Sequence, residues 1–219
     1  MKFLHLITLA SVALAAPNPI ARQTSVVDTV NSIVKTLEGS AQSNINTINS
    51  GIDSLKGSAV DPSAATRAQE TIKAALVGIT AELKKATDSL TGITTDAAGG
   101  VASAVKNFGQ AEIDQLGAAI TTANSVVADV RSALDRASGE LSSEAKKAVT
   151  AEISATKRAI GPFVAPLTGL ADAALRVVGV RDLDTSQLDQ AVGQISRTLQ
   201  GLTDIIGLPG GINLPGITV

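Results

Sequence analysis

The candidate nucleophiles in this sequence are serines that stand three residues ahead of a lysine. Examples are Ser32 with Lys35, Ser103 with Lys106, and Ser143 with Lys146. On a helix this spacing puts both side chains on one face, as a Ser–Lys nucleophile and base require. The pattern is short, and a chain rich in Ser produces it by chance. Neither a Ser-Asp-Asn nor a Lys-Thr-Gly element accompanies it. Carboxylates are the other possible source of chemistry. Asp182-Leu183-Asp184 lacks the remaining ligands of a calcium loop. A carboxylate pair acting on a sugar normally works beside aromatic platforms, and only 1% of this chain is aromatic. Gly99-Gly100 and Gly210-Gly211 are not followed by the Lys of a phosphate loop. Lys157-Arg158 reads as an exposed helix face in preference to a dibasic processing site. The sequence therefore predicts no catalytic residue, no metal site and no cofactor, and a protein that is not an enzyme.

The single histidine, His5, sits in a leader. Lys2 supplies a positive start, Phe3 to Val12 an apolar stretch, and Ala13-Leu14-Ala15 a small-residue cleavage site. These features predict a signal peptide over residues 1–15, cut between Ala15 and Ala16, and hence a secreted protein. The stretch is shorter than the roughly 20 residues that span a bilayer, and no transmembrane segment is expected. Met1, Phe3 and His5 leave with it, so the mature chain has no His, Cys, Met, Trp or Tyr. Ser-His-Asp and Cys-His triads and zinc sites of the Cys/His kind are then impossible. With no cysteine there is no disulfide, and a secreted domain must be held by its core alone. The formal charge of −2, with only 17% charged residues, gives no electrostatic reason to bind nucleic acid. There is no Asn-x-Ser/Thr sequon.

Apolar residues at spacings of three and four fill the rest of the chain, and no stretch alternates as a strand would. Residues 16–24 read as a flexible leader. Val26, Val30, Ile33 and Leu37, then Ile45, Ile48, Ile52 and Leu55, predict a first helix weakened by Gly39 and Gly51, with a break of register near Ala41. Asp61-Pro62 opens a second helix that runs through Ile72, Leu76, Ile79 and Leu83 to about Gly92. A short run, Val101 to Phe108, stops at Gly109. The most regular stripe follows: Ile113, Leu116, Ile120, Ala123, Val127, Val130, Leu134 and Ala137, closed by Gly139. Ser142 or Ser143 opens another helix, with Ala145, Val149, Ile153 and Ile160. Pro162 and Pro166 are expected to break or kink it around Phe163, leaving a short helix through Leu170 and Val178. Ser186 with Asp189 resembles a capping box for the last helix, Leu188 to Ile206. Residues 208–219 form a Pro/Gly-rich apolar tail. The fold expected is all-α, a disulfide-free bundle of about five amphipathic helices over residues 25–207.

What such a chain has to offer is aliphatic helix surface. Most residues of these stripes read as ordinary bundle core, but a core of Ala, Gly and Val brings helices close and fills little volume, so such a bundle can keep an apolar tunnel or open its faces onto a hydrophobic surface. The ligand-facing candidates are Phe108, Ile113, Leu116, Ile120, Val127, Val130, Leu134, Val149, Ile153, Phe163 and Leu170. Phe108 and Phe163 adjoin helix breaks, where a lipid would enter.

The stretch Ile72 to Leu175 resembles the fungal hydrophobic surface-binding protein A family, also described as cell wall galactomannoproteins. The likeness lies in the signal peptide, the absence of Cys, the Ala/Val/Leu-rich helices and the segment Gly109-Gln110-Ala111-Glu112-Ile113-Asp114-Gln115-Leu116. The regular stripe to Leu134, a polar break and a further helix pair follow in similar order. The family-like core covers about residues 72–178. The resemblance implies a secreted or wall-associated protein that binds hydrophobic surfaces, fatty acids or similar lipids, with cell-wall polysaccharide or a recruited secreted hydrolase as further partners. It carries over no catalytic residue. The alternative expectation is a structural wall protein or antigen that acts through helix–helix contacts.

Overall fold

Ser25 precedes the first described helix, its hydroxyl accepting from the amides of Val27 at 3.2 Å and Asp28 at 3.3 Å. It thereby satisfies donors that an α-helix leaves open at its start. The computed structural model describes residues 25–57, 62–96, 100–178 and 183–206. The signal sequence with its Ala15-Ala16 cleavage site, the leader to residue 24, Asp61 and the tail lie outside the described residues. Six helices follow in order: α1 Val26–Gly57, α2 Pro62–Asp96, α3 Gly100–Val105, α4 Gln110–Glu140, α5 Ser143–Val178 and α6 Ser186–Ile206. Five of them are long and α3 is a single short piece, so the all-α bundle is as the apolar spacing requires.

Local signals account for most boundaries. Pro62 is the first residue of α2, where its missing amide costs nothing. Ahead of α4, the Glu112 carboxylate accepts from the Gly109 amide at 3.0 Å. The Ser142 hydroxyl accepts from the Ala145 amide at 3.3 Å at the start of α5. Ser142→Ala is expected to cost about 1 kcal/mol, the usual worth of an N-cap, read as a lower urea midpoint. The cap of α6 sits one residue earlier than the sequence pattern suggests. Thr185 donates to the Asp189 carboxylate at 3.0 Å, and Asp184 accepts from the Ser186 amide at 2.9 Å. That bond to the Ser186 backbone holds the Asp184 carboxyl below its usual value.

Several expected interruptions are absent. Helix α1 runs unbroken because Ala41, fully buried, takes the core position between Leu37 and Ile45. Helix α2 continues past Gly92 to Asp96, whereas α4 ends at Glu140, beside the expected Gly139. The largest correction concerns α5, one helix from Ser143 to Val178 with Pro162 and Pro166 inside it. Each proline removes a ladder bond, at about 3 kcal/mol in an isolated helix. Pro162 is exposed, whereas Phe163, Val164, Leu167 and Leu170 are buried. The burial of that apolar face offsets the lost bonds.

Packing partners fix the topology. Helix α1 lies against α2 and α4, α2 against α5, and α6 along α4 with a lesser contact to α5; α3 touches α2 and α5. Gly51 faces Ile72 and Gly78 faces Asn44, so α1 and α2 are antiparallel. Arg136 meets Asn49 near the last turns of both helices, so α4 runs parallel to α1. Lys73 pairs with Glu152, and Thr80 with Thr156, so α5 runs parallel to α2. Gly117 meets Leu188 and Asn124 meets Thr198, so α6 runs parallel to α4. The result is a ring of α1, α2, α5 and α4 with α6 laid along its α4 side. One continuous core of Ala, Val, Leu and Ile, with Phe108 and Phe163, fills the interior. The buried polar residues Thr156 and Thr168 are both hydrogen-bonded.

Candidate functional site

The ligand-facing candidates all belong to the core. Ile113, Leu116, Ile120, Val127, Val130 and Leu134 form the inward stripe of α4, and Val149, Ile153, Phe163 and Leu170 that of α5. Phe108 stands at the α3–α4 junction and is also buried. Phe163 lies inside α5 and at no break, so only Phe108 adjoins a helix end. These residues are brought together as a packed interior that reaches a ligand only if helices part. Among the described residues Val77, 53% exposed on α2, is the large hydrophobic side chain left in solvent.

Surface grooves run between α1 and α2 and between α1 and α4 among the described residues, and no candidate residue lines them. The α1–α2 groove, about 670 Å³, is floored by Gly51 and Ala68 and walled by Ser43, Asn46, Ser50 and Arg67. The α1–α4 groove, about 800 Å³, is lined by Asp28, Asn31, Lys35 and Gln115. Both are open, and most of the residues along them carry a hydroxyl, amide or charge. The furrow that reaches Ile33 and Leu37 holds about 120 Å³, below the roughly 300–1,000 Å³ of ordinary ligand pockets.

The Ser–Lys pairs face outward, Lys106 from the turn after α3: Ser32, Lys35, Lys106 and Ser143 are exposed, and Ser103 and Lys146 half-buried. Among the described residues no group of three His, Cys, Asp or Glu side chains is placed to hold a metal. One described stretch, Ser143–Val177 of α5, is long and apolar enough to cross a membrane by length and composition. Its apolar side closes the core described above.

A polar cluster that the sequence does not announce joins α1 to α4 at the end of the bundle far from α3. Arg136 donates to Asn49 at 2.9 Å, to Asp53 and to Glu140 at 3.0 Å, and Lys56 pairs with Glu140 at 2.8 Å. Only the Arg136–Glu140 spacing of four is visible in sequence. Burial acts against the Arg136 charge, but hydrogen bonds to Asp53 and Glu140 outweigh it and raise its pKa. The Lys56 hydrogen bond, aided by Arg136 and opposed by desolvation, holds the Glu140 carboxyl below its ordinary value. A depressed carboxyl contributes stability that is complete above its unfolded pKa and is lost as pH falls through the folded value. Urea midpoints measured from neutral to acid pH should therefore fall less steeply for Glu140→Gln than for the parent chain.

Between α2 and α5, the Thr80 and Thr156 hydroxyls lie 2.9 Å apart, and Thr156 also reaches the Leu76 carbonyl at 3.3 Å. Lys73 and Glu152 approach to 3.3 Å, while the second Glu152 oxygen and the Ser196 hydroxyl are buried without a hydrogen-bond partner. Burial raises the Asp172 carboxyl on α5, with Arg176 partly offsetting it.

Fold and site together define a cysteine-free, up-and-down helical bundle with a closed aliphatic interior. Comparison with protein-family models, with curated proteins and with solved structures found no match.

Proposed function

We propose that the protein is a secreted, non-enzymatic binder of hydrophobic surfaces or lipids, which offers the inner faces of its helices by opening the bundle. One observation carries this reading: long amphipathic helices close a continuous aliphatic core on one another without any covalent tie. Each core residue is worth about 25 cal/mol per Å² whether it is covered by another helix or by an apolar surface. Exchanging one cover for the other therefore costs little, provided the interhelix polar contacts are few. Fatty acids, similar lipids and hydrophobic polymers are the ligand class.

The test is adsorption of the purified mature chain to polystyrene beads, run beside displacement of a fluorescent fatty acid. Binding in either assay, with a rise or rearrangement of helix signal on the surface, is the expected outcome. No response in both removes the proposal. A protein that ignores both but self-associates in sedimentation would support the structural, helix-pairing alternative.

A further inference from the structure

We propose that the bundle opens along one seam, parting α1–α2 from α4–α6, and that Asn49, Asp53, Lys56, Arg136 and Glu140 form the latch that holds this seam shut. The inference rests on the surface-binding reading for its purpose, but its mechanics are testable without any ligand.

Chain connectivity selects the seam. Helices α1 and α2 are successive and antiparallel, as are α4 and α5, so each pair is a hairpin that stays joined at its turn. The chain passes from one pair to the other once, between Asp96 and Gln110. Parting the two pairs requires no hairpin to be pulled apart.

Close approaches at glycines tell the same way. Gly51 against Ile72 and Gly78 against Asn44 tie α1 to α2, while Gly117 against the Leu188 backbone and Gly201 against Arg131 tie α4 to α6. All four approaches fall within a half. Helix α6 is further fixed to the α4 start by Gln110, which donates to the Asp184 carbonyl at 2.9 Å and accepts from its amide at 3.0 Å.

The polar contacts found across the seam sit away from the chain crossing. They join Asn49 to Lys56 with Arg136 and Glu140, and Lys73 to Thr80 with Glu152 and Thr156. Nearer the crossing, the same faces present Val27, Val30 and Val34 of α1 and Ile113, Leu116 and Ile120 of α4. A seam that is aliphatic near the crossing and bolted at the far end opens from the bolted end. Arg136 is the bolt, because its single guanidinium joins Asn49 and Asp53 on α1 to Glu140 on its own helix.

The chain has no cysteine, so one introduced thiol reports opening without background. Thr156→Cys places it in the seam, where position 156 is fully buried; Ala191→Cys places it, equally hidden, on α6. In the full chain without lipid, adding Arg136→Ala is expected to speed labelling of Cys at 156 about fivefold, because the seam loses its guanidinium link to Asn49 and Asp53 and opens more often. Labelling at 191 should not change. Equal acceleration at both sites, or none at 156, overturns the proposal.

A second pair of variants addresses the surface. Thr80→Cys with Thr156→Cys, oxidised, staples the seam and should abolish adsorption to polystyrene until a reductant is added. Asn124→Cys with Thr198→Cys, oxidised, staples α4 to α6 and should leave adsorption intact. Adsorption by the stapled seam would overturn the seam while leaving surface binding standing. Absence of adsorption by the parent chain would remove the binding reading, and the thiol rates would still decide the seam.

Discussion

Phe163→Ala is expected to lower the unfolding free energy by about 3–5 kcal/mol, the range for truncating a fully buried aromatic. Phe163 is wholly inaccessible to solvent and heads the largest of the fully buried side chains. It also stands between Pro162 and Pro166, where α5 has lost two of its ladder bonds. The helix persists there because its inward face is packed, so emptying the Phe163 position removes transfer energy and local helix support together. Phe163→Leu retains most of the volume and should cost less than about 1.5 kcal/mol. Urea denaturation followed by far-ultraviolet circular dichroism measures both, since the chain has no Trp or Tyr to report fluorescence. A loss under 1 kcal/mol for Phe163→Ala would show that α5 does not depend on this packing.

The same helix shows where the sequence is legible and where it is not. Val149, Ile153, Ile160, Phe163, Leu167 and Leu170 recur at helical spacing, and every one is buried. That periodicity is a local property, so the helix class and the core face could be read from it. Prolines and glycines carry local penalties of fixed sign, yet their effect depends on which face they occupy. Pro162 points outward, Gly39 has open space around it, and Ala41 fills a core position where a break of register was expected. Each of these is a tertiary fact, which is why breaks expected at those places do not occur.

The arrangement of the candidate site was less legible for a related reason. The stripe from Ile113 to Leu134 identifies an apolar face, but a face covered by other helices and a face kept for a ligand have the same spacing. The structure places all of those residues inside the bundle. Arg136 with Asp53, and Thr80 with Thr156, bring together residues more than 70 positions apart, and no local pattern foreshadows either pair. The polar latch was therefore invisible in a sequence whose apolar faces were plain.

Gly51→Leu is expected to destabilise the bundle by about 1–3 kcal/mol, although leucine is the better helix former by nearly 1 kcal/mol. A Cβ at Gly51 would come within 2.6 Å of the Ile72 side chain, itself fully buried, so α1 or Ile72 must shift to admit it. A Cβ at Gly39, which is exposed, meets nothing within 4 Å, so Gly39→Leu should be neutral or stabilising and is the control for propensity alone. The substitution reaches further than stability. Gly51 lies midway between Asn49 and Asp53, the two α1 residues that Arg136 grips. Pushing α1 off α2 there displaces both acceptors, and thiol labelling of Thr156→Cys should quicken in the Gly51→Leu background. A lower urea midpoint without faster labelling at 156 would mean that the strain stays within the α1–α2 half and the latch tolerates it. Faster labelling at both 156 and 191 would instead mark global loosening, and only acceleration confined to 156 fits a seam that this end of α1 keeps closed.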